Sequence, residues 1–266
     1  MANKTLLAIG PFILNAGAVL LLFFVVLAGV TEHNPLNKIY YLQADTSGIP
    51  GAPPESRWTL WNRCAVQDGL SVDCTDNHPA YGFQPAVNFG TRTGVPQDLL
   101  DNRSRDYYLS RFGFSFTLMA LIFSSFAFLV SWFALCSRAL AGCTSVLTFS
   151  ALVTAIIAAS LYTALGVYAR DGFTSAGNNA SIGVKFFAFI WTAVACLLLA
   201  SIGFVLACTL GRDRRGSRGV VQPPPPPGAE FNEKRGRRRF FSRRNDALAD
   251  GESQRRVISN TERSSF

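Results

Sequence analysis

Cys64 and Cys74 are the residues whose type and spacing point most directly to chemistry in this sequence. Nine residues separate them, with Asp68-Gly69 at the centre, and this dipeptide is a strong signal for a hairpin turn. A zinc site is disfavoured, because two thiolates without a nearby histidine cannot complete the metal's coordination. The spacing also excludes a C-x-x-C redox motif, so the pair indicates a disulfide across a hairpin.

The register of this hairpin decides whether the two sulfurs can meet. A three-residue loop from Asp68 to Leu70 places Cys64 opposite Cys74, whereas a two-residue Asp-Gly turn places Asp73 there and sends the sulfurs to opposite faces. A disulfide requires Cβ atoms about 3.5 to 4.5 Å apart, so it needs the three-residue loop or a β-bulge. Closing so small a ring contributes about 3 kcal/mol in the chain-entropy model.

The remainder of the sequence is dominated by four apolar runs, which must position this hairpin. They cover residues 6–30, 112–135, 144–168 and 184–210. Each exceeds the ~18 apolar residues that a spanning helix needs, so we predict a four-helix membrane protein. The first run is longer than the roughly 7 to 15 apolar residues of a signal peptide, and we interpret it as an uncleaved anchor.

Charge predicts the orientation of the four spans. Residues 211–266 carry 14 Lys and Arg against 7 Asp and Glu, out of a net charge of +8 for the whole chain. Basic residues beside the fourth span favour the cytosol, and with four spans the N-terminus is cytosolic as well. The predicted cytosolic segments are residues 1–5, 136–143 and 211–266, and the predicted outer loops are residues 31–111 and 169–183.

Two sequons lie in the predicted outer loops, at Asn102 and Asn179, and both are candidates for N-glycosylation. Cys64 and Cys74 are the cysteines in the outer loops, where disulfides persist. Three other cysteines lie near the cytosolic interface and are candidates for palmitoylation, although cysteine is also an ordinary small apolar residue in helices. These are Cys136, Cys143 and Cys208.

The residues around the first cysteine carry a family resemblance. Trp58, Leu60, Trp61 and the two cysteines resemble the claudin-type signature, although claudins usually have Gly where this chain has Thr59. A longer string that includes Arg57, NKIYYLQADTSGIPGAPPESRWTLWNRC, and the later string RDYYLSRFGFSF resemble more closely the fungal Sur-seven/PalI family, specifically its Sur-seven branch. This resemblance covers roughly residues 5–210.

The resemblance implies an integral protein of the eisosome-associated compartment of the fungal plasma membrane. Members of that family are associated with membrane organisation, cell-wall maintenance and endocytic control. It also implies a claudin-like outer lobe, a small antiparallel sheet from the first loop extended by a strand from the second, on a left-handed four-helix bundle. Leu60 and Trp61 would seat the sheet on the membrane surface. Trp58 has two open interpretations, a structural anchor or a member of an interfacial aromatic belt.

Small and polar residues inside the spans indicate helix packing. Ala151, Ala155 and Ala159 recur every four residues in the third span, a spacing that lets helices approach closely. Asn15 in the first span is expected to hydrogen-bond to a neighbouring helix. Transport is disfavoured, because transporters usually carry ionisable residues inside the membrane and the interiors of these spans have none.

The predicted tail is low in complexity and rich in charge, so we expect disorder. Residues 234–244 interleave two phenylalanines with basic side chains, which favours anionic inner-leaflet lipids. The candidate lipid-binding residues are Lys234, Arg235, Arg237, Arg238, Arg239, Phe240, Phe241, Arg243 and Arg244. Ser217, Ser242 and Ser259 follow Arg at a spacing typical of basophilic-kinase substrates, and phosphate there would weaken the lipid contact.

Three function classes follow from these features. The first is a non-enzymatic organiser of membrane domains, with membrane lipids, other eisosome and plasma-membrane proteins and further copies of the chain as partners. The second is a sensor or signalling adaptor, as the PalI branch would imply for ambient pH. The third, a transporter or enzyme, is disfavoured because the sequence shows no nucleophile with its base, metal cluster or phosphate loop. No cofactor and no nucleic-acid partner are expected.

Overall fold

The computed structural model describes residues 2–31, 33–134 and 138–210. Its helices are α1 (Ala2–Val26), α2 (Pro85–Asn88), α3 (Gln97–Asp101), α4 (Arg103–Ala134), α5 (Arg138–Ser175) and α6 (Val184–Leu210), with one 3-10 turn at Leu36–Lys38. Its strands are β1 (Leu42–Asp45), β2 (Glu55–Trp58), β3 (Arg63–Gln67), β4 (Leu70–Val72) and β5 (Ala180–Ile182). The tail over 211–266, with its candidate serines and lipid-binding residues, lies outside the described residues.

Helices α1, α4, α5 and α6 each contain an apolar stretch long enough to cross a membrane. The shortest of these stretches, Ile9–Val26, has 18 residues. At ~1.5 Å per residue it extends about 27 Å, close to the ~30 Å of a hydrocarbon core. The described part of the chain therefore fits the predicted bundle of four spanning helices.

Each of the four long helices packs against two others. Helix α1 contacts α4 and α6, and α5 contacts the same two helices. Ala151, Ala155 and Ala159 on α5 are fully buried, as their four-residue spacing predicts. The side-chain amide of Asn15 on α1 donates a hydrogen bond to the carbonyl of Ser124 on α4 at 3.3 Å. The predicted hydrogen bond between helices is thereby confirmed.

An antiparallel sheet with strand order β4-β3-β2-β1-β5 lies at the end of the bundle where α1 ends and α4 and α6 begin. Four of these strands come from the segment between α1 and α4, and β5 comes from the segment between α5 and α6. Leu42 pairs with Trp58 on one side and with Ile182 on the other. The expectation of a first-loop sheet extended from the second loop is confirmed, and we call this sheet with its connecting segments the sheet lobe.

The hairpin that carries the disulfide combines a tight turn with a bulge. Gln67 pairs with Leu70, so the connection is the two-residue turn Asp68-Gly69, and both of its residues have positive φ, 51° and 72°. Asp73 follows β4 with φ of 46° and shifts the register by one residue, and the Cα atoms of Cys64 and Cys74 then lie 3.9 Å apart. Of the two predicted solutions, the bulge is correct and the three-residue loop is wrong.

The helix ends differ from the boundaries that apolarity predicts. Helix α1 ends at Val26 and not at residue 30, α4 begins at Arg103 and not at residue 112, and α5 covers Arg138–Ser175 instead of residues 144–168. The predicted loops over 31–111 and 169–183 and the link over 136–143 therefore each contain helical residues. The reason is that apolarity marks the lipid-contacting stretch, whereas helical hydrogen bonding continues through polar turns beyond it.

Candidate functional site

Trp58 is the centre of the aromatic core of the sheet lobe. Its side chain is fully buried, and its indole nitrogen lies 3.4 Å from Oδ1 of Asn88. Its ring contacts Phe83, Phe89 and Phe173 at centroid distances of 5.3, 6.1 and 5.9 Å. Since Phe173 belongs to α5, the structure assigns Trp58 to the core that joins lobe and bundle and not to an aromatic belt.

Leu60 and Trp61 lie where the sheet lobe meets the ends of two long helices. Leu60 is buried, and the indole nitrogen of Trp61 donates a hydrogen bond of 2.6 Å to the carbonyl of Val26, the last residue of α1. The Trp61 ring also packs edge-on against Phe114 of α4, with 5.4 Å between centroids. One side chain thus connects the disulfide hairpin to both α1 and α4.

Two asparagines extend this connection and were not singled out from the sequence. The amide of Asn62 donates to the carbonyl of Gly29 at 2.7 Å, and that of Asn77 donates to the carbonyl of Val30 at 3.0 Å. Both carbonyls lie in the segment just after α1, and these side-chain donors give them hydrogen-bond partners. We call this set the lobe junction: Trp61, Asn62 and Asn77 with the carbonyls of Val26, Gly29 and Val30.

Gly29 and Thr59 meet inside the lobe junction. Gly29 has φ of +90°, a conformation that favours glycine, and a Cβ at this position would overlap the side chain of Thr59. The Thr59 hydroxyl accepts hydrogen bonds from the backbone amides of Trp61 and Asn62 at 3.3 and 3.1 Å. Thr59 therefore shapes the turn that presents the donors.

Arg57 supports the hairpin from the neighbouring strand. Its Nε donates to Oε1 of Gln43 at 2.8 Å, and its guanidinium donates to the carbonyl of Gly69 in the hairpin turn at 3.0 Å. The guanidinium carbon also lies 4.3 Å from the centroid of the Tyr40 ring. This residue, part of the resembling string, joins β1 and β2 to the hairpin turn through one buried side chain.

Two groups in the sheet lobe have pKa values shifted away from their usual ranges. Burial raises the pKa of the Tyr41 hydroxyl well above its usual range, with smaller contributions from nearby acidic groups. Hydrogen bonds from the hydroxyl and the amide of Ser47 lower the pKa of the Asp45 carboxyl. Across the residues that the structure describes, no three His, Cys, Asp or Glu side chains are grouped to hold a metal ion.

The candidate modification sites are spread over both ends of the bundle. Asn102 is half-buried and its amide nitrogen donates to the backbone and side chain of Asp98 at 3.1 and 3.0 Å, whereas Asn179 is exposed just before β5. Cys143 is an exposed free thiol on α5. Cys136 and the side chain of Cys208 lie outside the described residues.

Known proteins of two yeasts are similar in sequence to this chain. The chain is 44% identical over 185 residues to Protein SUR7 of Candida albicans, which covers 69% of this chain and 67% of that protein. It is 39% identical over 193 residues to the SUR7 family protein FMP45 of Saccharomyces cerevisiae, covering 72% and 62% of the two chains. It is also 34% identical to a protein of that yeast named an uncharacterized plasma membrane protein, with 73% and 64% covered.

The matched region thus spans about two thirds of the length of these relatives. The sequence pattern of the SUR7/PalI family matches residues 7–203, which include α4, α5, the whole sheet lobe and most of α1 and α6. The resemblance of the strings NKIYYLQADTSGIPGAPPESRWTLWNRC and RDYYLSRFGFSF to the Sur-seven/PalI family is confirmed at the level of the family. This membrane protein with four long apolar helices belongs to the SUR7/PalI family.

Proposed function

We propose that this chain is a non-enzymatic plasma-membrane protein that organises a stable membrane domain associated with eisosomes. Through that domain it contributes to cell-wall and membrane integrity and to the control of endocytosis. The lobe junction is the observation that carries the proposal. Three side-chain donors hold the lobe to the last residue of α1 and the segment just after it, so the lobe keeps a fixed position relative to the bilayer.

The orientation belongs to the same proposal. The sheet lobe lies outside the cell, where the Cys64–Cys74 disulfide persists, and both termini lie in the cytosol. The positive charge of residues 211–266 supports this orientation through the positive-inside rule. The exposed apolar side chains of the long helices, such as Phe126 and Trp132, contact lipid, other membrane proteins or further copies of the chain.

The tail gives the organiser a second contact with the membrane. Basic residues close to an anionic leaflet contribute about 1 kcal/mol each, and residues 234–244 contain seven of them. Phosphorylation of Ser242 within this run would weaken the contact, because it adds roughly −1.5 to −2 charges. Reversing the charge of the run should therefore abolish binding of a tail peptide to anionic liposomes, measured by co-sedimentation. Unchanged binding would refute the lipid contact.

Fluorescence imaging of the tagged full chain tests the organising role. We expect static patches that persist for minutes, and we expect a Trp61→Ala/Asn62→Ala variant to reach the membrane in reduced amount and without patches. A Trp191→Phe variant is the matched control, because Trp191 contacts Thr163 between two helices away from the lobe junction. A uniform or endosomal signal that responds to external pH would replace the organiser with a sensor of the PalI type.

A further inference from the structure

Two adjoining cavities open between the sheet lobe and the start of α6, and both are lined by the same two lysines. The first, of about 410 Å³, is here called the lysine cavity and is lined by Phe24, Asn34, Pro35, Lys38, Ile39, Lys185 and Phe189. The second, of about 360 Å³, continues over Tyr40 and Arg57 toward the hairpin turn. Together they form a groove that begins beside the bundle and rises along the lobe.

The floor of the lysine cavity lies within the stretches that cross the membrane. Phe24 belongs to the apolar stretch of α1 and Phe189 to that of α6, and their ring centroids are 6.2 Å apart. Lys185 is the second residue of α6, and Lys38 ends the 3-10 turn that follows α1. The groove therefore runs from hydrocarbon to the polar interface, where lysine side chains extend their charged ends.

The charges on the groove have one sign. Lys38, Lys185 and Arg57 are its charged lining residues, and no acidic side chain lines either cavity. The Arg57 guanidinium already bonds to Gln43 and Gly69, whereas both lysines are exposed. In the described part of the chain, neither lysine forms an ion pair. Two ammonium groups above an apolar floor complement an anionic headgroup that carries acyl chains.

We propose that the lysine cavity binds one anionic phospholipid from the leaflet next to the sheet lobe. The lipid phosphate lies between Lys38 and Lys185, and the upper part of an acyl chain lies against Phe24 and Phe189. The volume suits a phosphate, its glycerol and the first chain carbons, with the rest of the lipid in the bilayer. This site goes beyond the proposed organising role and requires only that the chain spans a membrane.

Photo-crosslinking tests the site and separates it from the basic tail. The full chain is placed in phosphatidylcholine nanodiscs that contain a trace of phosphatidylinositol with a diazirine near the top of one acyl chain. We expect adducts on peptides that contain Phe24 or Phe189, mapped by mass spectrometry. Unlabelled phosphatidylinositol should compete, whereas equal amounts of phosphatidylcholine or inorganic phosphate should not.

Charge-matched variants complete the test. At subsaturating probe, each lysine changed to glutamine should lower adduct formation at these peptides about fivefold, and Lys38→Gln/Lys185→Gln about 25-fold. Arg92→Gln/Arg103→Gln removes two exposed charges elsewhere at the sheet-lobe end of the bundle. This double variant should change adduct formation less than twofold. Equal loss in both double variants, no loss in the lysine variant, or competition by inorganic phosphate would each overturn the proposal.

Discussion

Cys64 stabilises the sheet lobe through a covalent bond across a very short hairpin. The Cys64→Ser change should lower the free energy of unfolding of the lobe by about 3 kcal/mol, because the unfolded chain gains the entropy of an open loop. Limited proteolysis of the purified protein and its amount at the cell surface both report this loss. Cys143→Ser is the matched control, since Cys143 is an exposed free thiol. Equal protease resistance of the two variants would show that the bridge does not stabilise the lobe.

Trp61 contributes a hydrogen bond and a ring contact, and the two can be separated. Trp61→Phe keeps an aromatic ring near Phe114 but removes the donor to the Val26 carbonyl. We expect a loss of about 1 kcal/mol, the usual net value of a hydrogen bond, seen as faster amide hydrogen exchange in β2 and β3. Trp191→Phe also removes a tryptophan donor but should leave exchange in these strands unchanged. Exchange that rises equally in both variants would contradict a specific role for Trp61.

Sequence spacing identifies Trp61 as an anchor of the sheet lobe. It does not identify the two asparagines that act with Trp61 in the lobe junction. Asn62 and Asn77 look like ordinary loop asparagines, and their partners Gly29 and Val30 lie 33 and 47 positions away along the chain. The donors can be assigned only when the end of α1 is known, and apolarity places that end several residues too late. The lysine cavity has the same difficulty, because Lys38 and Lys185 are far apart in sequence.

At the scale of elements, the contact between α1 and α6 depends on a missing side chain. A Cβ at Gly203 of α6 would overlap the side chain of Pro11 on α1, so one helix must move to admit it. Gly203→Ala should therefore destabilise the bundle by about 1 to 3 kcal/mol, the usual cost of overpacking. Thermal unfolding in detergent, followed by intrinsic fluorescence, measures the change.

Gly17 provides the control within the same pair of helices. A Cβ at Gly17 of α1 would meet no other atom within 4 Å, so Gly17→Ala should leave stability unchanged or raise it through better helix propensity. If Gly203→Ala were as well tolerated as Gly17→Ala, close approach would not govern this helix pair. Small-residue spacing predicts such contacts in general, but only the structure shows that Pro11 is the partner.

The elements that sequence predicts best are those whose environment is uniform along their length. Lipid selects apolar residues at every turn of α6, and its observed bounds, Val184–Leu210, coincide with the predicted span. By contrast, α4 begins at Arg103 in a polar segment that includes the buried Asp106, where no apolar run marks the helix. The hairpin is predicted in part. The disulfide requires either a longer loop or a bulge, and the local sequence does not distinguish these two solutions.

At the scale of the whole molecule, the two ends of the bundle are chemically different. The sheet lobe covers the end where α5 stops at Ser175, whereas Cys143 lies near the opposite end of the same helix. The two positions are 32 residues apart, or about 48 Å at ~1.5 Å per residue, which exceeds the ~30 Å hydrocarbon core. A reagent that cannot cross the membrane should therefore reach only one end in intact cells.

Labelling with a membrane-impermeant maleimide tests the proposed orientation. An Arg92→Cys variant carries a new thiol at an exposed position of the sheet lobe and should be labelled in intact cells. The unsubstituted chain supplies the control, because its exposed Cys143 should be labelled only after permeabilisation, with hydroxylamine added to release any thioester-bound acyl chain. Labelling of the unsubstituted chain in intact cells, with Arg92→Cys adding signal only after permeabilisation, would reverse the orientation. The lobe disulfide would then face a reducing compartment, and the basic tail would lie on the opposite side from anionic inner-leaflet lipids.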